Sequence, residues 1–425
     1  MRARRGLAAL ALAAAACVGE RPATTVEATA VRDSAGIRIV QNAAPRIAEP
    51  VELSPAPIVA IDGNGPPEEI PLDPTSVFEL SDGTIVVGDG DQSGWDALLL
   101  YDETGRFLGK AGGEGEGPGE FGQLWFAAPY RADSIYAMDM RGSAVNIFDR
   151  RGEFGRRIAG PSYRDPIPEG SFGFVPFFAD PAYEDGSFLA FPYGFLDVPP
   201  RAGVTTYVHD VLRVEPAGAV WDTLGRAPIR EEYFDGERQR SLQFAAYFFQ
   251  VPVGMRTVVG LGRDYEYRRM SSDWEPELIV RRAHSPVPVT RTHRQELLDW
   301  SLARFAAEDE LHSLPDGYED RFWDEMTAET LPAYSRILVD DADRVWVQDF
   351  WWVDPRGIPH TPRPSTWSVF DDAGVWLATV ETPPAYVVSS ISRDRIFGYR
   401  VDAVDVKHIE VYAIEDAGTL EEAGR

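Results

Sequence analysis

The sequence predicts an all-β fold: a six-bladed β-propeller of four-stranded antiparallel blades, with a helical insertion between blades four and five. Three observations lead to this prediction. From Gly36 onward, short runs of Val, Ile, Tyr and Phe alternate with Gly, Pro and Asp, which is the pattern of many short strands. A unit of about fifty residues recurs along the chain. The final unit lacks one strand, which the N-terminal segment can supply.

The repeat is visible in its strands and in its turns. The stretch "LSDGTIVVGDG" at 80–90 is followed by "LLLYDETGRFLGKAG" at 98–112, and similar pairs of strands recur further on, including one at 255–283. The spacings between turn acids are 51, 52 and again 51 residues, for the pairs Asp82 and Asp133, Asp133 and Asp185, and Asp343 and Asp394. Short antiparallel strands at this period predict six blades packed around a ring.

A helical pattern interrupts the repeats at about 290–330. Thr292 with Gln295 fits a capping box at its start. The apolar residues that recur on one helical face are Leu298, Leu302 and Phe305. A single apolar stripe suits a helix that covers a sheet face or an exposed edge, and a lid over a binding face is the alternative.

Closure of the ring requires a strand from elsewhere in the chain. In the last repeat only three strands are visible, at 392–401 and in the segments on either side of it. Either "GIRIVQN" or "PIVAIDG" from the N-terminal region is therefore expected to complete the last blade, because a closed ring removes long exposed edges.

The N-terminus carries an export signal. In residues 1–16, three arginines precede an apolar stretch too short to span a bilayer. The only cysteine, Cys17, follows a run of alanines, so this segment resembles the lipobox of bacterial lipoproteins, which implies a lipid-anchored N-terminus. Ordinary signal peptidase cleavage, giving a periplasmic or secreted soluble protein, is the alternative. We expect residues 17–35 to form a lipid-anchored tether and residues 36–425 to form a single propeller domain at the cell envelope.

The stretch "GGEGEGPGEFG" at 112–122, followed by an apolar strand, carries a family resemblance. It resembles the inter-blade loop of NHL-type six-bladed propellers. The chain is also similar to exported, often lipid-anchored six-bladed propeller proteins of environmental bacteria, which implies a fold and an envelope location but no agreed activity. A phosphate-binding loop is the rival interpretation. It is disfavoured because no helix follows the glycines, and because Glu114, Glu116 and Glu120 would repel an anion.

Charge and motif content exclude several functions. Lys plus Arg number 41 against 68 Asp plus Glu, a net charge of −27 without any basic run, so nucleic acid is not expected as a partner. The six histidines lack metal-ligand spacing, and no Gly-x-Ser-x-Gly motif is present. Catalytic residues are therefore unknown from the sequence.

Calcium is the one cofactor that the sequence allows, and none is certain. Asp89, Asp91 and Ser93 take positions one, three and five of an EF-type loop, but position twelve lacks the required bidentate Glu. The structural alternative is that Asp89 caps the turn after the second strand, since it aligns with Asp139 and Asp349 of other repeats.

Trp351 and Trp352 are the aromatic candidates for binding. They lie in "DFWWVD" at 349–354, which could belong to an exposed recognition surface or to the packing between blades. Consecutive residues on a strand point to opposite faces, so both rings cannot enter the same layer unless the strand has ended.

These observations predict a non-enzymatic binding or scaffolding module of the cell envelope. An unknown protein or small-molecule ligand would bind at one mouth of the propeller, where loops of several blades converge. The alternative is a calcium-dependent hydrolase of lactonase or esterase type that uses carboxylates in the central tunnel. Converging acids would favour the enzyme, and an apolar patch at the rim would favour the binding module.

Overall fold

The chain forms a ring of six antiparallel sheets in a computed structural model. The description that follows covers residues 28–61, 65–90, 96–141, 144–159, 183–190, 201–216, 221–237, 239–307, 316–351, 363–402 and 406–424. Of the predicted site residues, Cys17, Asp91, Ser93 and Trp352 lie outside these ranges.

Three strands precede the first blade, and each of the first three blades then contributes four described strands. The N-terminal strands are β1 (Thr29–Ser34), β2 (Ile37–Asn42) and β3 (Val59–Ile61). Blade 1 contains β4 (Pro74–Glu79), β5 (Ile85–Asp89), β6 (Ala97–Tyr101) and β7 (Phe107–Ala111). Blade 2 contains β8 (Leu124–Tyr130), β9 (Ser134–Asp139), β10 (Ala144–Phe148) and β11 (Phe154–Ala159). In blade 3 the described strands are β12 (Phe188–Ala190), which follows the turn at 183–187, β13 (Gly203–Val214), β14 (Trp221–Phe234) and β15 (Gln239–Arg240), which pairs with the end of β14.

The second half of the chain contains three further blades and the helices. Strand β16 (Leu242–Gln243) leads into blade 4, which contains β17 (Phe248–Val253), β18 (Arg256–Leu261), β19 (Glu266–Met270) and β20 (Pro276–Arg282). The insertion contains α1 (Arg291–Ala307), α2 (Tyr318–Asp324) and β21 (Met326–Thr327). Blade 5 contains β22 (Tyr334–Val339), β23 (Val345–Asp349), β24 (Thr366–Phe370) and β25 (Trp376–Glu381). Blade 6 contains β26 (Tyr386–Ile391), β27 (Arg395–Val401) and β28 (Lys407–Ala413), and α3 (Ala417–Ala423) ends the chain.

Apolar packing between blades closes the ring. Six clusters of buried residues each join two neighbouring blades, including Val77 with Val387 between blades 1 and 6, and Val258 with Ile337 between blades 4 and 5. A sheet of short strands cannot bury both of its faces alone, so each blade is stabilised by the next. The predicted six-bladed fold is therefore confirmed, with the helical insertion between blades 4 and 5.

The N-terminal segment, residues 29–61, forms a belt around three blades. Strand β2 adds in parallel to β20 of blade 4, and β1 pairs with β2. The chain then donates hydrogen bonds to the outer strand of blade 5, such as Ile47 N–H to the Leu377 carbonyl at 2.8 Å. Strand β3 pairs with β28 and completes blade 6. Of the two predicted closing strands, "PIVAIDG" closes the ring and "GIRIVQN" extends blade 4.

Strand β1 precedes the predicted domain boundary at Gly36. Strand β1 lies within the segment 17–35 that the sequence assigns to a tether. Ala35 and Gly36 both have positive φ, 52° and 84°, and form the tight hairpin turn between β1 and β2. Because almost all side chains of β1 are exposed, the strand is held by backbone pairing and leaves no apolar pattern in the sequence.

The glycine-rich stretch at 112–122 connects β7 to β8 and inserts an aromatic ring between two blades. Phe121 is fully buried, and its ring lies 5.8 Å from that of Phe148. A Cβ on Gly112 would meet the Phe121 ring at 2.3 Å, and Gly112 has φ of 72°, so no other residue fits there. The Glu120 carboxylate accepts the Gly117 N–H at 2.8 Å. The run is thus an inter-blade connection, as the sequence predicts.

Serine side chains join the inner strands of neighbouring blades. Ser76 Oγ accepts the buried N–H of Ala127 at 2.9 Å, across blades 1 and 2. Ser389 Oγ accepts the Val77 N–H at 2.6 Å, and Ser390 Oγ donates to the Val77 carbonyl at 2.7 Å, across blades 6 and 1.

We expect Ser76→Ala to lower the free energy of unfolding by about 1–3 kcal/mol, because it leaves the buried N–H of Ala127 without an acceptor. Chemical denaturation measures this change. Ser34→Ala, at an exposed position of β1, is the matched control and should change stability by less than about 0.5 kcal/mol. Equal losses in the two variants would contradict the proposed role of Ser76.

The helical insertion begins at a different cap from the predicted one. Thr290 Oγ1 accepts the His293 N–H at 3.3 Å, and His293 Nδ1 accepts the Thr290 N–H at 3.1 Å. This reciprocal pair is a capping box in which imidazole takes the place of Glu or Gln. The predicted pair is therefore wrong, and Gln295 instead donates to Asp299 at 2.8 Å.

The insertion packs on the segment that leads into blade 4. Leu297 contacts a cluster formed by Leu242, Phe244 and Ala328. Arg294 fixes the two helices to each other by donating to the Phe322 and Trp323 carbonyls at the end of α2. Helix α1 thus covers other segments of the chain. Leu298 of its predicted apolar face is buried. No helix in the described chain is long and apolar enough to cross a membrane.

Candidate functional site

The two faces of the ring differ in the segments that form them. Turns between the first and second strands of the blades lie on one face, which we call the inner-turn face. Because antiparallel strands alternate in direction, the segments that enter each first strand and follow each second strand lie on the other, which we call the connection face. The inserted helices enter blade 5 on the connection face.

The candidate calcium ligand Asp89 ends β5 on the connection face. Its carboxylate accepts the Leu72 N–H at 3.0 Å and the Asp73 N–H at 2.6 Å. Asp139 does the same in blade 2, accepting the N–H groups of Gly122 and Gln123 at 3.1 Å. These aspartates hold the backbone that enters the first strand of their own blade, not the turn after the second. Within the described ranges, no group of three or more His, Cys, Asp or Glu residues could hold a metal ion.

The candidate Trp351 follows β23 on the connection face of blade 5, so the structure does not bring it together with Asp89 of blade 1. It is buried, with 8% of its surface exposed. Its backbone N–H donates to Ser335 Oγ at 3.3 Å. This burial fits the packing alternative.

The inner-turn face repeats one turn geometry. Gly83, Asp133, Gly186 and Asp343 occupy the same turn position, with φ between 59° and 87°. Aspartate is one of the few residues besides glycine that tolerates this conformation. The acids Asp82 and Asp185 lie one position earlier, and there Asp82 Oδ1 accepts the Thr84 N–H at 3.1 Å. The 51- and 52-residue spacings between Asp82, Asp133 and Asp185 therefore connect acids at two adjacent turn positions, and not at one equivalent position.

Blade 6 has a shorter inner turn, closed by the Ser392 N–H donating to the Arg395 carbonyl at 2.9 Å, and blade 4 also departs from this pattern. Its turn consists of Gly254 and Met255 alone, because Val253 already pairs with Arg256. The corresponding turn of blade 5 spans 340–344, between Val339 and Val345. The rim of the inner-turn face is therefore lower at blade 4.

Hydrogen bonds join the inner turns around the rim except at one junction. The bonds are Arg395 to Glu79 at 2.7 Å, Ser81 N–H to Asp133 at 2.9 Å, Arg131 to the Asp185 carbonyl at 2.9 Å, Glu184 N–H to the Gly254 carbonyl at 2.9 Å, and Arg344 to the Arg393 carbonyl at 2.5 Å. Among the described residues, no such bond joins the inner turns of blades 4 and 5. The short turn of blade 4 leaves this junction open.

Two adjoining cavities occupy the open junction, each with a volume of about 360 Å³. We call them together the rim notch. They share four lining residues, Glu184, Val253, Gly254 and Val339. The notch lies where the inner strands β8, β17 and β22 end, at the mouth of the central channel.

The first cavity has an apolar wall and a buried polar floor. Pro129, Val251 and Pro252 form much of the wall, together with Tyr183 and the shared valines. Burial raises the pKa of Tyr183 to about 12, and its hydroxyl bonds to Thr257 Oγ1. The ring therefore stays neutral at physiological pH. Such walls bury an apolar group, and the exposed Arg131 and Glu184 at the edge can bind its polar end.

The second cavity is more polar and lies between blades 4 and 5. Its lining includes Tyr267, Arg269, Asp343, Asp371 and Asp372. Arg269 donates to the Asp372 carbonyl at 2.6 Å, and this is the described contact that ties the two blades together here. Asp371 Oδ1 accepts the Val375 N–H at 2.7 Å. Burial raises the pKa of the Asp371 carboxyl, partly offset by that hydrogen bond.

Sequence reasoning missed the notch, although a signal was present. Where blades 1 and 3 have "SDGT" and "EDGS", blade 4 has "PVGMR", with no acid and a shorter turn. A missing turn in one repeat predicts a gap in the rim, but the charges around the gap come from blades 3 and 5.

Fold and site together define an all-β ring of six blades with one open rim junction. No protein-family model matches the chain, and no curated protein matches it. Among solved structures, a member of the DUF4221 family from Bacteroides vulgatus is similar at a TM-score of 0.52 and 12% identity, over 86% of this chain and 98% of that one. This similarity supports the fold alone.

Two further solved structures are similar at lower TM-scores. A protein from Bacteroides fragilis described as a candidate exported protein has a TM-score of 0.46 and 12% identity, over 89% of this chain and 100% of that chain. A gluconolactonase from Xanthomonas campestris has a TM-score of 0.36 and 14% identity, over 87% of this chain and 97% of that chain.

Proposed function

We propose that this protein is an exported, lipid-anchored binding module of the cell envelope, and that its ligand binds in the rim notch. The open junction between blades 4 and 5 carries this proposal, because it leaves two connected cavities at the channel mouth on an otherwise bonded rim. Concave sites with apolar walls and a few polar groups are where proteins hold ligands.

The notch offers burial and charge in one place. Val251, Pro252, Val253 and Val339 supply an apolar wall, and carboxylates and arginines lie at its edges. An apolar patch at the rim is the feature expected of the binding alternative.

The envelope location is proposed from the N-terminal sequence. Export would place the propeller outside the cytoplasm, and a lipid on Cys17 would hold it at a membrane through the residues before β1. The NHL-like connection at 112–122 adds a family resemblance to this proposal.

A cysteine variant tests the anchor. We expect Cys17→Ala to move the protein from the membrane fraction to the soluble envelope fraction, because a lipidated cysteine contributes the membrane affinity. Cell fractionation and mass spectrometry of the N-terminal peptide measure this change. A Cys17→Ala variant that still partitions with membranes would contradict the proposed lipid anchor.

A cross-linking experiment tests the notch. A diazirine amino acid of similar size replaces Met255, which lines the second cavity, in cells that export the chain. We expect a specific adduct, and we expect it to disappear when Val339→Trp fills the notch. The matched control carries the diazirine at Leu108, which is 50% exposed on blade 1. Identical adducts at both positions, or none at Met255, would overturn the proposed site.

A further inference from the structure

We propose that the second cavity of the rim notch recognises an organic cation, an ammonium or guanidinium group carried on an apolar stem. This inference rests on the proposed function and specifies the chemistry of its ligand. The cation could belong to a free amine or to a lysine or arginine side chain of a partner, and the chemistry of recognition is the same.

Unpaired carboxylates give the cavity a negative balance. Glu184, Asp343, Asp371 and Asp372 all line it, and none of them has an ion pair with another described residue. Glu184 and Asp343 lie in the repeated inner turns, and the packing of blade 5 positions Asp371 and Asp372 at the cavity. A cluster of four acids on a half-enclosed surface attracts a cation, because fixed charges of one sign add up in a cleft.

The arginines of the cavity do not neutralise these acids. Arg256 pairs with Glu277 at 3.2 Å, and Arg269 lies 3.8 Å from the same carboxylate. Glu277 is outside the cavity lining. Arg269 also donates to the Asp372 backbone carbonyl, but neither guanidinium group forms an ion pair with a lining carboxylate among the described residues.

A buried hydroxyl supplies an independent observation. Tyr267 is 2% exposed, and its hydroxyl has no hydrogen-bond partner among the described residues, although the ring lines the cavity. A buried polar group without a partner costs free energy. An N–H donor entering from the cavity would remove that cost, since a tyrosine oxygen accepts hydrogen bonds.

The neighbouring surface suits an apolar stem. Val253 and Val339 line both cavities, and Val251 and Pro252 continue the wall into the first. A chain of several methylene groups would lie along this wall with its charged end among the carboxylates, as lysine and arginine side chains do at protein surfaces. A bare metal ion would instead need three converging ligands, and the described ranges contain no such group.

Calorimetric titration of the full chain in detergent tests this inference. The probes are pentylamine and its neutral match pentanol, and a capped Gly-Lys-Gly peptide and its acetyllysine form. We expect the amine and the lysine peptide to bind and the neutral probes not to bind. Tighter binding of the peptide would point to a partner side chain, and tighter binding of pentylamine to a free amine.

Two variants locate the binding. Asp343→Asn and Asp372→Asn should each weaken amine binding about tenfold, which is about 1.4 kcal/mol, because each removes one carboxylate that attracts the cation. Asparagine tolerates the positive φ of Asp343, so the turn should persist. Asp341→Asn is the matched control, because Asp341 lies in the same turn but outside the cavity lining. Amine binding by this variant should equal that of the unchanged protein.

The outcomes separate this inference from the proposed function. Equal binding of pentanol and pentylamine, unchanged binding in the two variants, or no binding of either amine probe would overturn the organic-cation inference. If a notch-specific cross-link at Met255 still forms, the proposed function stands without it. Loss of that cross-link as well would overturn both.

Discussion

Replacing Asp340 by alanine is expected to lower the free energy of unfolding by about 3–5 kcal/mol, because it leaves a buried arginine without its counter-ion. The Asp340 side chain is fully buried and that of Arg344 is 5% exposed. The Asp340 carboxylate accepts hydrogen bonds from Arg344 Nε at 2.6 Å and from Trp346 Nε1 at 2.8 Å. Arg344 also donates to the Arg393 carbonyl of blade 6, so the loss would extend across a blade junction.

The position of Asp340 explains why it needs these partners. The equivalent turn residues are Leu80 in blade 1 and Tyr183 in blade 3, both buried. Blade 5 has a carboxylate at this apolar position. Burial raises the pKa of Asp340, and Arg344 and the hydrogen bonds oppose that rise. The ion pair with Arg344 therefore compensates the buried negative charge of the Asp340 carboxylate.

Chemical denaturation measures the effect, with Asp341→Ala as the exposed neighbour in the same turn. That control should change stability by less than about 0.5 kcal/mol. The double variant Asp340→Ala with Arg344→Met should recover part of the loss, because it removes both charges. If Asp340→Ala and Asp341→Ala are equally stable, the ion pair does not stabilise the ring.

Removing residues 1–62 is expected to abolish folding of the ring as a monomer. This deletion takes away the N-terminal belt, which buries five apolar side chains: Ile39, Val40, Val51, Val59 and Ile61. At about 1.5–3 kcal/mol for each side chain, their contribution approaches the total stability of a typical domain, about 5–15 kcal/mol. It also leaves the outer edge of blade 6 unpaired, which favours aggregation.

A shorter deletion is the matched control. Removing residues 1–35 takes away β1, whose side chains are almost all exposed, and should leave the thermal midpoint nearly unchanged. Adding a synthetic peptide of residues 36–62 to the longer truncation should restore folding, measured by circular dichroism. A truncated chain with the midpoint of the full chain would show that ring closure does not depend on the belt.

Local sequence patterns predicted the fold more completely than the site. The acids Asp82, Asp133 and Asp185 mark turns, because Asp133 has a positive φ and the other two accept backbone N–H groups within their turns. The glycines of 112–122 mark a connection, because several of them have backbone conformations that few other residues adopt. The cap of α1 was misplaced because the His293 ring acts where Gln is usual. Strand β1 was missed because backbone pairing leaves no trace in side-chain periodicity.

The sequence by itself determined the number of blades and the place of the insertion, and it limited the closing strand to two N-terminal candidates, of which the structure selects β3. Repeat spacing and strand alternation are properties of contiguous residues, so they can be read from the chain. Only the tertiary structure decided the rim notch, the exposed carboxylates of Asp343 and Asp372, and the buried hydroxyl of Tyr267, which has no hydrogen-bond partner among the described residues. These groups come from different blades, and only the packing of blade 4 against blades 3 and 5 brings them together.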